Sequence, residues 1–582
     1  MWCLVWLLLS VIATYAWLRC SPQGALFITL CLSCLFLFWG ALLNQLLLTS
    51  QLLSVAGPIL GCLALVKRNS RLSIQTHLLP YLPWLGFIVG LACLFSINQT
   101  VSSIDEPIYW AIIGKYLFLF DHLPISDDLI LSKHLRYLPG LGLLHYHFYQ
   151  LADHYTLQLA FIVQSVLLLS TLLLCIRNPR QHAQIYLFLI AFFALHLFFG
   201  TILARLDVDY LLAAVFLMIL WHLLTTKPLT LPLEQRCAIF ILPLIKIPGF
   251  YFALVALLLY YSIYKHQSAA FKGAALSMLL SLLIFNQCIW QHYADIQQLG
   301  HFRSPITWQE LKLAFSHHSV MQHAFFIFLK EMCLGAADRW NIPYLFWYAL
   351  LGYLIFQKGQ GERLYDQLPS QFFVLLAGAF LLYGIQLYGL QLFAFGLGST
   401  RQETVSLARY LNMLFVPMLL APLLFTLQKT AWFNRRQVAL FYFTGLISAM
   451  ALVAFHAHHN QKLQPNYRFA SKLATQVAPL LQTLPRSQFF LLTAYGRDNI
   501  AWQLNYHLLD LQHHYQSFEP LMDGYTQQLI RKSDYLLIYQ HPDCPLKNGL
   551  YRIDHKHAPK AYCSPAAPEE GLTLITPIET IN

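Results

Sequence analysis

The sequence predicts an α-helical polytopic membrane protein of about 14 transmembrane helices, followed by a small C-terminal α/β domain outside the cytoplasm. Three observations carry that expectation. The 582-residue chain is 58% hydrophobic and only 11% charged, against about 25% charged in a soluble domain. Its apolar residues fall in serial runs. Its basic residues collect in alternate connections between those runs, as cytoplasmic loops require.

The runs predict spans over 2–18, 24–48, 51–66, 79–97, 157–176, 183–203, 210–225, 237–246, 249–264, 270–290, 343–357, 371–392, 406–426 and 438–456. The N-terminal run has no basic n-region and no small-residue cleavage site, so it reads as a retained span. The eighth and ninth runs flank Lys246-Ile-Pro-Gly249 and suit a tight hairpin. One set of connections carries Arg19, Lys67, Arg68, Arg71, Arg177, Arg180, Lys227, Arg236, Lys265, Lys272, Lys358, Arg363, Lys429, Arg435 and Arg436. These loops read as cytoplasmic. The long segments then share the outer face. The expected organisation is 1–97, N-terminal helices; 98–156, a large outer loop; 157–456, a bundle with an outer loop over 291–342; and 457–582, a soluble extracytoplasmic domain. In that tail "SQFFLLTAYG" and "DYLLIYQ" read as strands and "RDNIAWQLNYHLL" and "YTQQLIRKS" as helices. Such a protein belongs in a plasma membrane, expected to be a bacterial inner membrane.

The net charge of +11 is scattered between apolar runs and forms no basic face or tail, which argues against nucleic acid as a partner. Ten of the 12 cysteines lie in or beside apolar runs, where thiols pack as small hydrophobes. Cys544 and Cys563 lie in the polar tail and would suit a disulfide in an oxidising compartment. The 24 histidines include His145 and His147, and His317 and His318, neither pair at zinc-ligand spacing.

Candidate chemistry concentrates in four places. In "SSIDEPIYWAIIGKYL", Asp105 and Glu106 precede a stretch whose Tyr109, Trp110, Tyr116, Phe118 and Phe120 suit an interfacial helix. Acids at a helix start are also a simple response to its dipole. In "TILARLDVDYLLAAVF", Arg205, Asp207 and Asp209 end one run and begin the next; they are either interfacial helix ends or charge converging on one site. Lys246 lies between two apolar runs, where an ionisable group is a site hypothesis by default, or a lysine snorkelling at a turn. In "SLARYLNMLFVP", Arg409 and Tyr410 open a late run, and an arginine there suits a phosphate or simply anchors the helix end.

Taken in order, these stretches resemble integral-membrane glycosyltransferases of the GT-C superfamily, the mannosyltransferase-like or PMT-like group. "IDEPIYWAIIGKYL…LP…YLPG" is similar to that family's D-E-x-x-x-W-x-x-x-x-K followed by Y-x-P-G, at Asp105, Glu106, Trp110, Lys115, Tyr137, Pro139 and Gly140. "LDVDYLLAAVF", "LIKIPGFYFALVALL" and "ARY" resemble its later elements, over roughly 98–430. Four spans precede the acidic loop where better-known members have one, and Leu138 stands for a usual proline. The resemblance implies a polyprenyl-phosphate-linked sugar donor, a cell-envelope acceptor, contact with the lipid bilayer and transfer on the outer face. It implies Asp105 as catalytic base or acceptor-orienting group, with Glu106 supporting it or holding a divalent metal, Mg or Mn. Lys115, Tyr137, Asp207, Asp209, Lys246, Arg409 and Tyr410 would bind substrate, Arg409 at the donor phosphate. One carboxylate suffices for a single displacement, so transfer would be inverting. Two other classes stay open: an O-antigen-type polymerase or ligase, and a non-enzymatic transporter or flippase of lipid-linked glycans.

Overall fold

A computed structural model describes residues 2–97, 109–125, 136–176, 182–200, 205–225, 231–264, 269–299, 318–338, 341–356, 370–394, 406–429 and 470–479, five strands between 488 and 577, and a few isolated positions. Asp105, Glu106, Cys544, Cys563, the predicted span 438–456 and the two predicted tail helices lie outside these residues, apart from His507.

The chain begins with three packed helices, α1 (Trp2–Leu18), α2 (Ala25–Leu42) and α3 (Leu46–Val66). The Trp6 indole donates to the Leu53 carbonyl at 2.9 Å and locks α1 on α3. A short α4 (Arg68–Ser73) leads through a π turn and a 3-10 turn into α5 (Leu82–Ser96). Next come α6 (Ala111–Phe120) and α7 (Gly140–Ala152). Helix α6 ends on Asp121, in the left-handed region at φ 56°. The Asp121 carboxylate accepts the Tyr146 hydroxyl at 2.6 Å and the Gln150 amide at 3.1 Å, so one end residue clips α6 to α7.

The centre is made by α8 (Leu157–Leu173), α9 (His182–Phe199), α10 (Asp209–Thr225), α11 (Leu233–Ile245) and α12 (Pro248–Tyr264). Thr156 caps α8 by accepting the Leu159 amide. Helix α13 (Ala269–Ile296), α14 (His318–Leu334), α15 (Tyr344–Phe356), α16 (Ser370–Gly389) and α17 (Leu407–Lys429) complete the helical part. Helix α10 is apolar all round and buried from Asp209 to Trp221. Its neighbours include α17, α8, α11 and α12. A helix without a polar face belongs inside other helices or inside lipid, and α10 is inside other helices.

The C-terminal strands are β1 (Gln488–Thr493), β2 (His514–Gln516), β3 (Tyr535–Tyr539), β4 (Gly549–Ile553) and β5 (Leu572–Pro577). They form one sheet in the order β2-β1-β3-β4-β5, parallel on the β2-β1-β3 side and antiparallel from β3 to β5. Strands β1 and β3 lie within the two segments whose pattern predicts strands.

The expected count of about 14 transmembrane helices is corrected. Among the described residues five stretches are long and apolar enough to cross a membrane: Ala25–Leu42, Leu46–Val66, Arg68–Ser96, Gln371–Phe393 and Leu407–Gln428. The physical reason is length together with burial. At 1.5 Å per residue a 17-residue helix such as α10 reaches about 26 Å, short of the roughly 30 Å hydrocarbon core. Its apolar surface is covered by α17, α8 and α11 instead. An apolar run in sequence is the same whether lipid or protein will cover it. The alternation of cytoplasmic and outer loops rested on that count, so the sidedness, the extracytoplasmic tail and the placement as a multi-pass inner-membrane protein fall with it.

Candidate functional site

The sequence between α9 and α10 folds under a polar clamp. The Gln164 amide, from the middle of α8, donates to the Asp207 carbonyl at 2.9 Å, the Arg205 carbonyl at 3.3 Å and the Tyr210 hydroxyl at 2.6 Å. The Tyr210 hydroxyl in turn donates to the Arg205 carbonyl at 2.6 Å. This fixes residues 205–208 and sets Asp209 as the first residue of α10. A carboxylate there lies against the positive end of the helix dipole.

Lys246 is delivered by the junction of α11 and α12. It lies outside both helices, in an extended backbone conformation. The turn closes tightly: a Cβ on Gly249 would run into the Leu242 carbonyl, so only glycine lets α12 begin so close to the end of α11. Arg409 and Tyr410 come from the first turn of α17.

These three elements converge on one carboxylate. Lys246 Nζ donates to Asp209 Oδ1 at 2.5 Å, and Arg409 Nε donates to Asp209 Oδ2. Asp209 and Lys246 are buried, whereas the Arg409 side chain is 29% exposed. The Tyr410 ring lies 5.3 Å from Lys246 Nζ and 5.8 Å from the Arg409 guanidinium carbon, within cation–π range. From α16, the Tyr383 hydroxyl donates to the Tyr410 carbonyl at 3.0 Å. Tyr251 of α12 stacks on Tyr383 at 5.8 Å. Burial by itself raises the Asp209 carboxyl, but the Arg409 and Lys246 charges outweigh it and hold it down to about 2. Taken by themselves, the three side chains of Asp209, Lys246 and Arg409 bring two cations to one anion. This cluster has the chemistry to hold an anion through charge-assisted hydrogen bonds.

The residues singled out in the sequence divide as follows. Asp209, Lys246, Arg409 and Tyr410 meet. Asp207 is buried two residues before Asp209, and its carboxylate faces Arg205 at 3.8 Å. Tyr137 stacks on Trp110 at 5.8 Å and nearly parallel, while the Tyr109 hydroxyl donates to the Tyr137 carbonyl at 2.6 Å. Lys115 lies over the Tyr155 ring at 5.8 Å and reaches the His507 carbonyl at 3.5 Å. Asp105 and Glu106, the other residues expected beside Lys115 and Tyr137, are outside the described residues. Gln164, Tyr210, Tyr251 and Tyr383 support the cluster and were not anticipated. Gln164 had a legible signal, an amide in the middle of an apolar run.

Comparison with protein-family models, with curated proteins and with solved structures finds no match. Among the described residues no group of three or more His, Cys, Asp or Glu side chains is placed to hold a metal ion. With five span-length helices among the described residues, against an expected count of about 14, these findings overturn the resemblance to the GT-C glycosyltransferases. The inferred sugar transfer falls with it, as do its inverting course and the glycan-assembly alternatives that shared its architecture.

Proposed function

We propose that the protein binds a phosphate-headed amphiphile, with the anionic head at Arg409 and Lys246 and the apolar tail along α12 and α16. The observation that carries this is the convergence of two cations, Lys246 and Arg409, at one place beside the Tyr410 ring, with the Arg409 side chain reaching the surface. A phosphate oxygen suits a guanidinium, whose planar fork matches it. The tail has a path beside it. Ile247, Leu258 and Tyr261 on and just before α12, and Val374, Leu381, Leu382 and Ile385 on α16, are exposed apolar side chains on two helices that pack together. Exposed apolar surface of this extent marks a contact with lipid or another apolar partner.

The test is titration of the full chain, in a neutral detergent, with dodecyl phosphate and with dodecyl maltoside. Dodecyl phosphate should bind the more tightly. Arg409→Ala should weaken it about tenfold or more, since a charged hydrogen bond is worth roughly 1.5–3 kcal/mol. Arg409→Lys should fall between, keeping the charge and losing the planar fork. Equal affinity for the two amphiphiles, or full affinity in Arg409→Ala, would leave the cluster as an internal staple and end this reading.

A further inference from the structure

A second polar site lies toward the other end of α10, roughly 18 Å along the helix from Asp209 at 1.5 Å per residue. A cavity of about 320 Å³ opens between the α1–α2 connection, the end of α8, the last turns of α10 and the start of α11. Its polar lining includes Ser21, Trp221, Glu234 and Gln235, and its apolar lining includes Leu174 and Met218. The volume is that of a small-molecule pocket.

Beside His222 and Gln23, which also line the cavity, Glu234 and Trp221 stand out. Glu234 is 9% exposed and its carboxylate accepts the Ser21 amide at 2.8 Å, yet it makes no ion pair among the described residues. Arg236, two residues on, turns to the Leu231 carbonyl instead. The thiols beside it add no charge, because burial and then the Glu234 charge push Cys20 and Cys237 up to about 12. The dipole of α11 offers partial compensation, since Glu234 is in its first turn. The other is Trp221, 2% exposed, whose indole N–H has no hydrogen-bond partner among the described residues. A buried donor left unmade costs about 1–3 kcal/mol. The backbone is shaped to admit Glu234: a Cβ on Gly24 would meet Ser21 Oγ at 2.8 Å and Glu234 Oε1 at 2.9 Å.

We infer that this cavity is a binding site for a small organic cation, a protonated primary amine with an apolar body and a hydrogen-bond acceptor. The ammonium completes the Glu234 carboxylate, the body lies against Leu174 and Met218, and the acceptor takes the Trp221 N–H. A buried charge needs an opposite charge or a metal. The lack of a three-ligand cluster among the described residues favours an ammonium over a metal ion. This site is independent of the amphiphile site, because it shares none of its side chains.

Tyramine and tyrosol make the test, since they differ only in carrying an ammonium or a hydroxyl on the same body. By calorimetry on the full chain, tyramine should bind at least about tenfold more tightly than tyrosol. Glu234→Gln should erase that preference, Trp221→Phe should weaken both ligands, and Arg409→Ala should change neither. Circular dichroism would confirm that the variants keep their helix content, and the two-ligand comparison on the unaltered chain stands even where a variant fails to fold. Equal affinities, preference retained in Glu234→Gln, or no heat with tyramine up to about 10 mM would overturn the inference.

Discussion

Asp209 holds together residues 37 and 200 positions away in the chain, and its removal shows what the cluster is worth. Asp209→Ala leaves the Lys246 ammonium buried beside the Arg409 guanidinium with no anion between them. Breaking a buried pair on one side typically costs about 3–5 kcal/mol. Chemical denaturation should therefore find Asp209→Ala destabilised by about that amount. The double variant Asp209→Asn, Lys246→Met should recover part of the loss, because it removes both an anion and a cation. A double variant no more stable than Asp209→Ala would mean that the charges are not coupled. At this scale the sequence reveals candidates but not partners. Asp209, Lys246, Arg409 and Tyr410 are legible as polar groups at the ends of apolar runs. Their meeting depends on how α10, α12 and α17 pack, which no spacing encodes. Lys115 and Tyr137 carried the same kind of signal, and their contacts with Tyr155 and Trp110 were likewise not encoded in any spacing.

At the scale of elements, equal hydrophobicity conceals unequal surroundings. Helices α3 and α10 are both apolar, yet Leu217 on α10 is fully buried and Leu52 on α3 is 61% exposed. Leu217→Ala should cost about 2–5 kcal/mol through lost burial and the cavity left behind. Leu52→Ala should stay within about 0.5 kcal/mol for the chain in detergent. Thermal melts of the two variants under one condition decide this, and a comparable loss from Leu52→Ala would show that a partner covers α3. The contrast explains why helix positions are readable from apolar runs while the number of membrane spans is not. Of the five span-length stretches, Leu46–Val66, Arg68–Ser96 and Gln371–Phe393 keep most of their surface outside, whereas Ala25–Leu42 and Leu407–Gln428 are largely enclosed. Hydropathy reports what a helix avoids, and water is avoided equally in a bilayer and in a protein core.

For the whole molecule, the two histidines of α7 couple folding to pH. His145 and His147 are buried where α7 packs against α1, α2, α3 and α6. Among the described residues neither ring nitrogen of His145 has a hydrogen-bond partner, and His147 Nδ1 meets the Ser50 hydroxyl at 2.8 Å. Burial pushes both imidazoles down from 6.5 to about 3. A folded value below the unfolded one means that the unfolded chain takes up protons first. The stability these neutral rings contribute is thus complete above about pH 6.5 and is lost as pH falls toward 3, at up to roughly 1.4 kcal/mol per pH unit for each ring. Asp209, held down to about 2, contributes to the pH dependence only below the ordinary carboxylate range, so the histidine window comes first. Urea unfolding between pH 7 and pH 5 should show stability falling with pH in the unaltered chain. His145→Leu should have a visibly shallower slope, because one proton uptake is gone. A slope unchanged by His145→Leu would place the acid sensitivity in other groups. A pair of histidines two apart on a helix is not at metal-ligand spacing, and the sequence leaves its surroundings open. Here Gly114 lets α6 lie against His145, its missing Cβ leaving only 3.1 Å to that side chain. The bundle closes over both rings, so acid acts on the packing of α1, α2, α6 and α7 together and on no single contact.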